Sequence, residues 1–188
     1  VYGQTETSPV LTQTFPGDSE EDICNTVGQP LPNKDIAVLD PKTSKIMPLN
    51  TIGEICSRGY CNMLRYNDNP EATKATIDKD GWLHTGDLGS MDERGYVKIT
   101  GRLKEMIIRG GENLFPAEIE NTLLEHPAVA EVAVVGIPDP KWGEIVGCFV
   151  RPVDGTEPKI AQLIAHCRQH LSPVKTPTKW MFVEEWPL

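Results

Sequence analysis

The first hundred residues carry short apolar runs cut by Gly, Pro, Asn and Asp, the texture of an antiparallel, β-rich region. Strands are predicted at Ile36 to Asp40, Gly53 to Arg58 and Tyr96 to Thr100. Asp92-Glu93-Arg94-Gly95, between Met91 and Tyr96, reads as a hairpin turn. A short helix is expected to start at Asn69, because Asn is a good N-cap and Pro70 then takes the first helical position, where a missing N–H costs nothing.

Near Gly101 the texture changes. Lys104 to Arg109 and Glu112 to Phe115 flank Gly110-Gly111, a two-residue loop able to take positive φ and so a hairpin signal. Pro116 opens a helix predicted to run to Glu125 and to stop before Pro127, with Ile119, Leu123 and Leu124 on one side. Glu118 and Glu120 lie near the positive end of its dipole. Val129 to Ile137 reads as a buried strand, and Ile145 to Arg151 as another. Ile160, Leu163, Ile164, Cys167 and Leu171 recur at helical spacing, and a last strand is expected near Trp180 to Val183. The pattern predicts an α+β chain, a β-rich first lobe and a compact α+β second lobe joined near Gly101.

Composition narrows the function classes. The 188 residues suffice for one large domain or two small ones. Eighteen basic against 27 acidic residues give a net charge of −9, which argues against nucleic acid or an anionic membrane surface as the main partner. The five cysteines are odd in number and form no CxxC pair, so neither a disulfide framework nor a zinc site is suggested, and free thiols in a reducing compartment are expected. No apolar run approaches the roughly 20 residues of a membrane span. Val1 opens on polar, motif-like sequence with no signal peptide or initiator Met, as in a chain cut from something longer. His84, His126, His166 and His170 show no metal spacing with one another or with the cysteines, and no Gly-x-Ser-x-Gly elbow supports a hydrolase triad. Asp87, Asp92 and Glu93 could suggest paired carboxylates for glycoside chemistry, but the turn reading of Asp92 to Gly95 is the better one.

Four stretches stand out chemically. Tyr2-Gly3-Gln4-Thr5-Glu6-Thr7 gathers a ring, a Gly, hydroxyls and a carboxylate, suited to stacking a base and holding a phosphate-bound Mg²⁺, or else forming a polar surface turn. Trp82-Leu83-His84-Thr85-Gly86-Asp87-Leu88 sets an Asp after Gly between apolar residues, where a carboxylate could accept from both hydroxyls of a ribose or simply belong to a Gly-Asp turn. Gly101 to Asn113 surrounds an apolar core with Arg102, Lys104 and Arg109, and Gly110-Gly111 permits close approach of a ligand; an edge hairpin protected by charge is the competing reading. Val134 to Glu144 reads as a strand ending in a Pro-Asp turn, with no catalytic chemistry assigned.

In order and spacing these motifs resemble the acyl-CoA synthetase branch of the adenylate-forming enzymes over essentially the whole chain. Tyr2 to Glu6 resembles that family's Gly-x-Thr-Glu motif, Thr85-Gly86-Asp87 its ribose-binding motif, and Gly101-Arg102-x-Lys104 the opening of its hinge and thioesterification loop. Glu112-Asn113-x-x-Pro116-x-Glu118-Ile119-Glu120 continues that loop into the first helix of the family's small domain, and Met106 to Asn113 is most similar to fatty acyl-CoA synthetases of the medium-chain type.

The resemblance implies that residues 1–101 are the C-terminal part of a large AMP-binding domain and residues 102–188 a small mobile domain, incomplete at its end. It implies a ligase that joins a carboxylic acid to ATP as an acyl adenylate and then to CoA as a thioester. In it Tyr2 stacks on adenine within the Gly3-containing motif, Thr5 contacts phosphate and Glu6 holds Mg²⁺. Asp87 binds the ribose hydroxyls with help from Arg102, Lys104 sits at the hinge, and Gly110 and Gly111 line the pantetheine tunnel. Ligation of an aryl or other acid, or a non-catalytic nucleotide-binding or interaction role, remain alternatives. Cytoplasmic location is expected, the mitochondrial matrix being compatible with a eukaryotic source, and a homo-oligomer is left open. The family's phosphate loop belongs upstream of Tyr2 and its adenylation lysine shortly beyond Leu188, so this stretch alone is expected not to catalyse adenylation efficiently.

Overall fold

The computed structural model describes residues 1–186. Pro187 and Leu188, where the resemblance begins the adenylation-lysine motif, lie outside the described residues. The chain divides into two compact units, Val1–Leu103 and Lys104–Leu188.

The first unit holds two antiparallel sheets. β1 (Tyr2–Gly3), β2 (Val10–Gln13) and β3 (Gln29–Pro30) form the smaller, with α1 (Glu20–Asn25) between β2 and β3 in sequence. A Cβ on Gly3 would fall 1.7 Å from the Pro9 carbonyl oxygen, so close backbone approach dictates glycine there. Helix α1 is capped by the Ser19 hydroxyl and tied to the rest by Arg94, which pairs with Asp22 at 2.8 Å and holds that carboxyl below its ordinary range. The larger sheet is a meander of β4 (Asp35–Leu39), β5 (Gly53–Arg58), β6 (Leu83–Met91) and β7 (Val97–Arg102). Helix α2 (Pro70–Thr76) starts as expected, the Asn69 side chain accepting from the Ala72 N–H at 3.0 Å. The Asp92 to Gly95 turn links β6 to β7, with the Gly95 N–H donating to the Asp92 carbonyl. Neither the small sheet nor α1 was expected from periodicity, because strands of two to four residues are too short to show one.

The second unit packs two helices on a five-stranded sheet. β8 (Ile107–Arg109) and β9 (Glu112–Leu114) form the Gly110-Gly111 hairpin, both glycines at positive φ (58° and 88°). The residues before it differ from expectation: Leu103–Glu105 is a 3-10 turn, not strand. Next come α3 (Pro116–Leu124), β10 (Val129–Asp139), β11 (Gly143–Pro152), α4 (Ile160–His170) and β12 (Lys179–Phe182), the last parallel to β11. Ile119, Leu123, Leu163 and Cys167 of the helices meet Val134, Val146, Cys148 and Val150 of the sheet in one core. Two expectations are corrected. Leu124 is 47% exposed, since one residue past Leu123 rotates about 100° out of the buried stripe. Strand β10 is not buried on both faces: it lies at a sheet edge, and Val135 is 39% exposed where Val134 is buried.

Candidate active site

Strand β6 carries Thr85-Gly86-Asp87, so this segment is an interrupted strand rather than a free turn. In the β5–β6 ladder Glu54 faces Leu88 and Cys56 faces His84, leaving Ile55 alone opposite three residues. The bulge is closed by side chains: the Thr85 hydroxyl donates to the Ile55 carbonyl at 2.6 Å and accepts the Asp87 N–H at 3.1 Å. Gly86 takes φ +76°, and nothing lies within 4 Å of where its Cβ would stand, so glycine serves the conformation and leaves open space beside Asp87.

Asp87 is the centre of the first unit's polar cluster. The Tyr2 phenol donates to its Oδ2 at 2.9 Å, and Arg102 Nε, paired with it across the β6–β7 ladder, lies 3.3 Å from its Oδ1. Asp87 is 15% and Arg102 69% exposed, so the cluster faces outward from a buried base. Burial, partly offset by Thr85 and reinforced by the Asp87 charge, pushes the Tyr2 phenol above its ordinary range, keeping it a protonated donor. The Tyr2 ring also packs on the core of Val38, Ile55 and Val97.

Thr5 and Glu6 lie on a 3-10 turn, Thr5–Thr7, closed by the Thr7 hydroxyl on the Gln4 carbonyl at 2.9 Å. Thr5 is exposed. Glu6 Oε1 accepts from the Tyr66 hydroxyl at 2.9 Å, its second oxygen has no hydrogen-bond partner among the described residues, and the Glu6 carbonyl accepts the Met63 N–H at 2.7 Å. One fixed carboxylate with a free oxygen fits Mg²⁺, which takes one or two protein carboxylates and fills its shell with water and phosphate.

Lys104, Gly110 and Gly111 belong to the second unit. Lys104 is exposed in its 3-10 turn. The Gly110 N–H donates to the Trp142 carbonyl at 2.7 Å, and a Cβ there would meet the Trp142 ring at 2.9 Å, whereas Gly111 faces open space.

Residues 1–67 match the AMP-binding enzyme family, and residues 118–188 match the AMP-binding enzyme C-terminal domain. The chain belongs to the AMP-binding enzymes. Over 187 residues it is 44% identical to the putative acyl-CoA synthetase YngI of Bacillus subtilis (strain 168), and 42% identical to the mitochondrial medium-chain acyl-CoA ligase ACSF2 of Homo sapiens. All of this chain is covered in both, but it spans only 34% and 30% of those proteins. Among solved structures, ATP-bound MatB from Rhodopseudomonas palustris matches with a TM-score of 0.91 at 39% identity, over 99% of this chain and 36% of that one. The o-succinylbenzoate CoA synthetase MenE from Bacillus subtilis, in complex with the acyl-adenylate intermediate OSB-AMP, matches at 0.89 and 33% identity, over 99% and 37%.

In this AMP-binding enzyme segment the fold also gathers residues that sequence spacing passed over. Glu54 Oε2 lies 2.7 Å and Cys56 Sγ 3.5 Å from His84 Nδ1, although nothing in the spacing of His84 and the cysteines suggested a grouping. These donor types suit a zinc ion. The 2.7 Å separation is nevertheless that of a shared proton, because two ligands of one tetrahedral zinc stand about 3.3 Å apart. Burial, then the charges of Glu54 and Asp78, push the Cys56 thiol well above its ordinary range, so it persists as a neutral thiol. The one available signal was Glu54 itself, an acid inside an otherwise uncharged strand start and only 4% exposed.

Proposed function

We propose that this chain is part of an ATP-dependent fatty acid:CoA ligase, supplying the ribose side of its nucleotide site and a small domain used in thioester formation. The Tyr2–Asp87–Arg102 cluster carries this reading. Each carboxylate oxygen offers about two lone-pair sites, so Asp87 can accept from Tyr2, face Arg102 and still receive two ribose hydroxyls. The open space beside Gly86 gives a nucleotide access. Tyr2 offers its ring to the adenine, Thr5 an exposed hydroxyl to phosphate, and Glu6 its free oxygen to Mg²⁺, which supplies charge neutralisation on the phosphates.

In the first half-reaction a carboxylate oxygen of the acid attacks the α-phosphorus of ATP and pyrophosphate leaves; in the second the CoA thiolate attacks the acyl carbon and AMP leaves. Both steps need charge stabilisation and exclusion of water more than a side-chain nucleophile. Lys104 acts as hinge between the poses for the two steps, and Gly110-Gly111 admits the pantetheine arm. A medium-chain aliphatic acid is favoured by the identity to ACSF2; an aryl acid is the second reading, supported by the likeness to MenE.

ATP–pyrophosphate exchange across aliphatic and aromatic acids, on this chain and on the full-length protein that contains it, tests the proposal. Exchange in the full-length protein alone, strongest with an aliphatic acid, is expected. Strongest exchange with an aromatic acid would favour the second reading, and none with any acid would overturn the ligase assignment.

A further inference from the structure

Glu54 is an acidic side chain only 4% exposed, held behind the segment that presents Asp87. Burying a carboxylate is costly unless each oxygen is engaged. Both are: Oε1 accepts the Gly86 N–H at 3.0 Å, and Oε2 faces His84 Nδ1 at 2.7 Å. On its far side the His84 ring places Nε2 3.5 Å from Asp78 Oδ2, so the imidazole is held between two carboxylates.

The register explains why a carboxylate stands here. With Ile55 alone opposite Thr85, Gly86 and Asp87, the regular ladder cannot supply the Gly86 N–H with a partner. Glu54 supplies it from the same strand, fixing Gly86 at φ +76°. A β-bulge re-aims the side chain that follows it, and that side chain is Asp87.

We propose that Glu54, braced by His84, is a positioning residue for nucleotide binding: it locks the bulge in β6 and thereby sets the direction in which Asp87 presents its carboxylate. This rests on the reading of Asp87 as the ribose-binding residue. Glu54 itself contacts no nucleotide; it acts through Gly86 and His84.

The test uses the full-length protein, with KM for ATP and for the acid measured by pyrophosphate exchange and melting temperature recorded alongside. Glu54→Asp withdraws the carboxylate by one methylene and is expected to raise KM for ATP about tenfold with KM for the acid unchanged. Glu54→Gln, whose amide can still accept from Gly86 and donate to His84, is expected to restore KM for ATP to within about threefold of native. Should Glu54→Asp fail to fold, His84→Ala, which removes the brace, is read the same way. Asp87→Ala distinguishes the ribose contact from its positioning: if it leaves KM for ATP unchanged, the ribose reading itself fails. If Asp87→Ala weakens ATP and the Glu54 and His84 variants do not, the positioning role alone is overturned. A Glu54→Asp loss shared equally by both substrates, tracking melting temperature and not recovered by Glu54→Gln, would also overturn it.

Discussion

Tyr2 and Asp87, 85 positions apart in the chain, meet through a 2.9 Å hydrogen bond in which the phenol donates to Oδ2. Arg102 Nε stands 3.3 Å from the other carboxylate oxygen, so a hydrogen bond and an ion pair from different strands meet on one acid. Tyr2→Phe deletes the donor and keeps the ring, costing about 1 kcal/mol of orientation at the site. In the full-length protein this is expected to raise KM for ATP roughly fivefold. An unchanged KM would mean that the hydroxyl does not steer Asp87.

The two glycines of the second unit's hairpin should respond differently to the same change. Gly111→Ala meets no atom and costs only the left-handed conformation, about 1 kcal/mol. Gly110→Ala adds a clash with the Trp142 ring at 2.9 Å and is expected to be clearly the worse of the two in urea unfolding. The reverse ranking would refute this packing.

Leu123 and Leu124 are neighbours with opposite surroundings. Leu123 is fully buried against the sheet, so Leu123→Ala should cost about 2–5 kcal/mol. Leu124, 47% exposed, should lose no more than about 0.5 kcal/mol on the same change. Chemical denaturation of both variants checks the difference.

The second unit should weaken in mild acid through His126. Burial, then the neighbouring His166, lowers the His126 pKa below its ordinary value. The unfolded chain therefore takes up this proton first as pH falls. The contribution of neutral His126 is fully present above about pH 6.5 and is lost as pH falls through the depressed folded value. Its Nδ1 accepts the Ala128 N–H at 3.2 Å, an acceptor that protonation removes. Melting temperature followed from pH 7.5 to 5 should fall less steeply in His126→Asn than in the native chain; parallel curves would exclude His126 as the source.

Thiol accessibility gives an independent check on both units. Cys24 is exposed, whereas Cys56, Cys61, Cys148 and Cys167 are buried. Burial also pushes the Cys167 thiol up to about 11, far from its reactive thiolate form. Brief alkylation of the native chain followed by peptide mapping should mark Cys24 first, with the other four labelled only on unfolding.

Where the sequence determined structure by itself, the partners lie within a few residues of each other. Asn69 caps α2 through Ala72, the glycine pair turns β8 into β9, and the Asp92 to Gly95 turn closes on its own backbone. The helical stripes of Ile119 and Leu123, and of Leu163 and Cys167, were legible because their period is a property of the chain alone. Tyr2, Asp87 and Arg102 could likewise be singled out one at a time by residue type and motif.

Tertiary structure alone decided what those residues do to one another. Thr85-Gly86-Asp87 reads locally as a turn, yet it is a bulged strand because Ile55 and Arg102, far off in sequence, supply its two neighbours. Glu54, His84 and Cys56 gave no pattern along the chain, since they converge only when β5 and β6 pair. Burial of Leu124 and Val135 depended on which faces the fold covers, a quantity hydrophobicity cannot report. Local hydrogen bonding and side-chain period are written along the chain; the aim of Asp87 is set by long-range strand register, and register exists only once the sheet has formed.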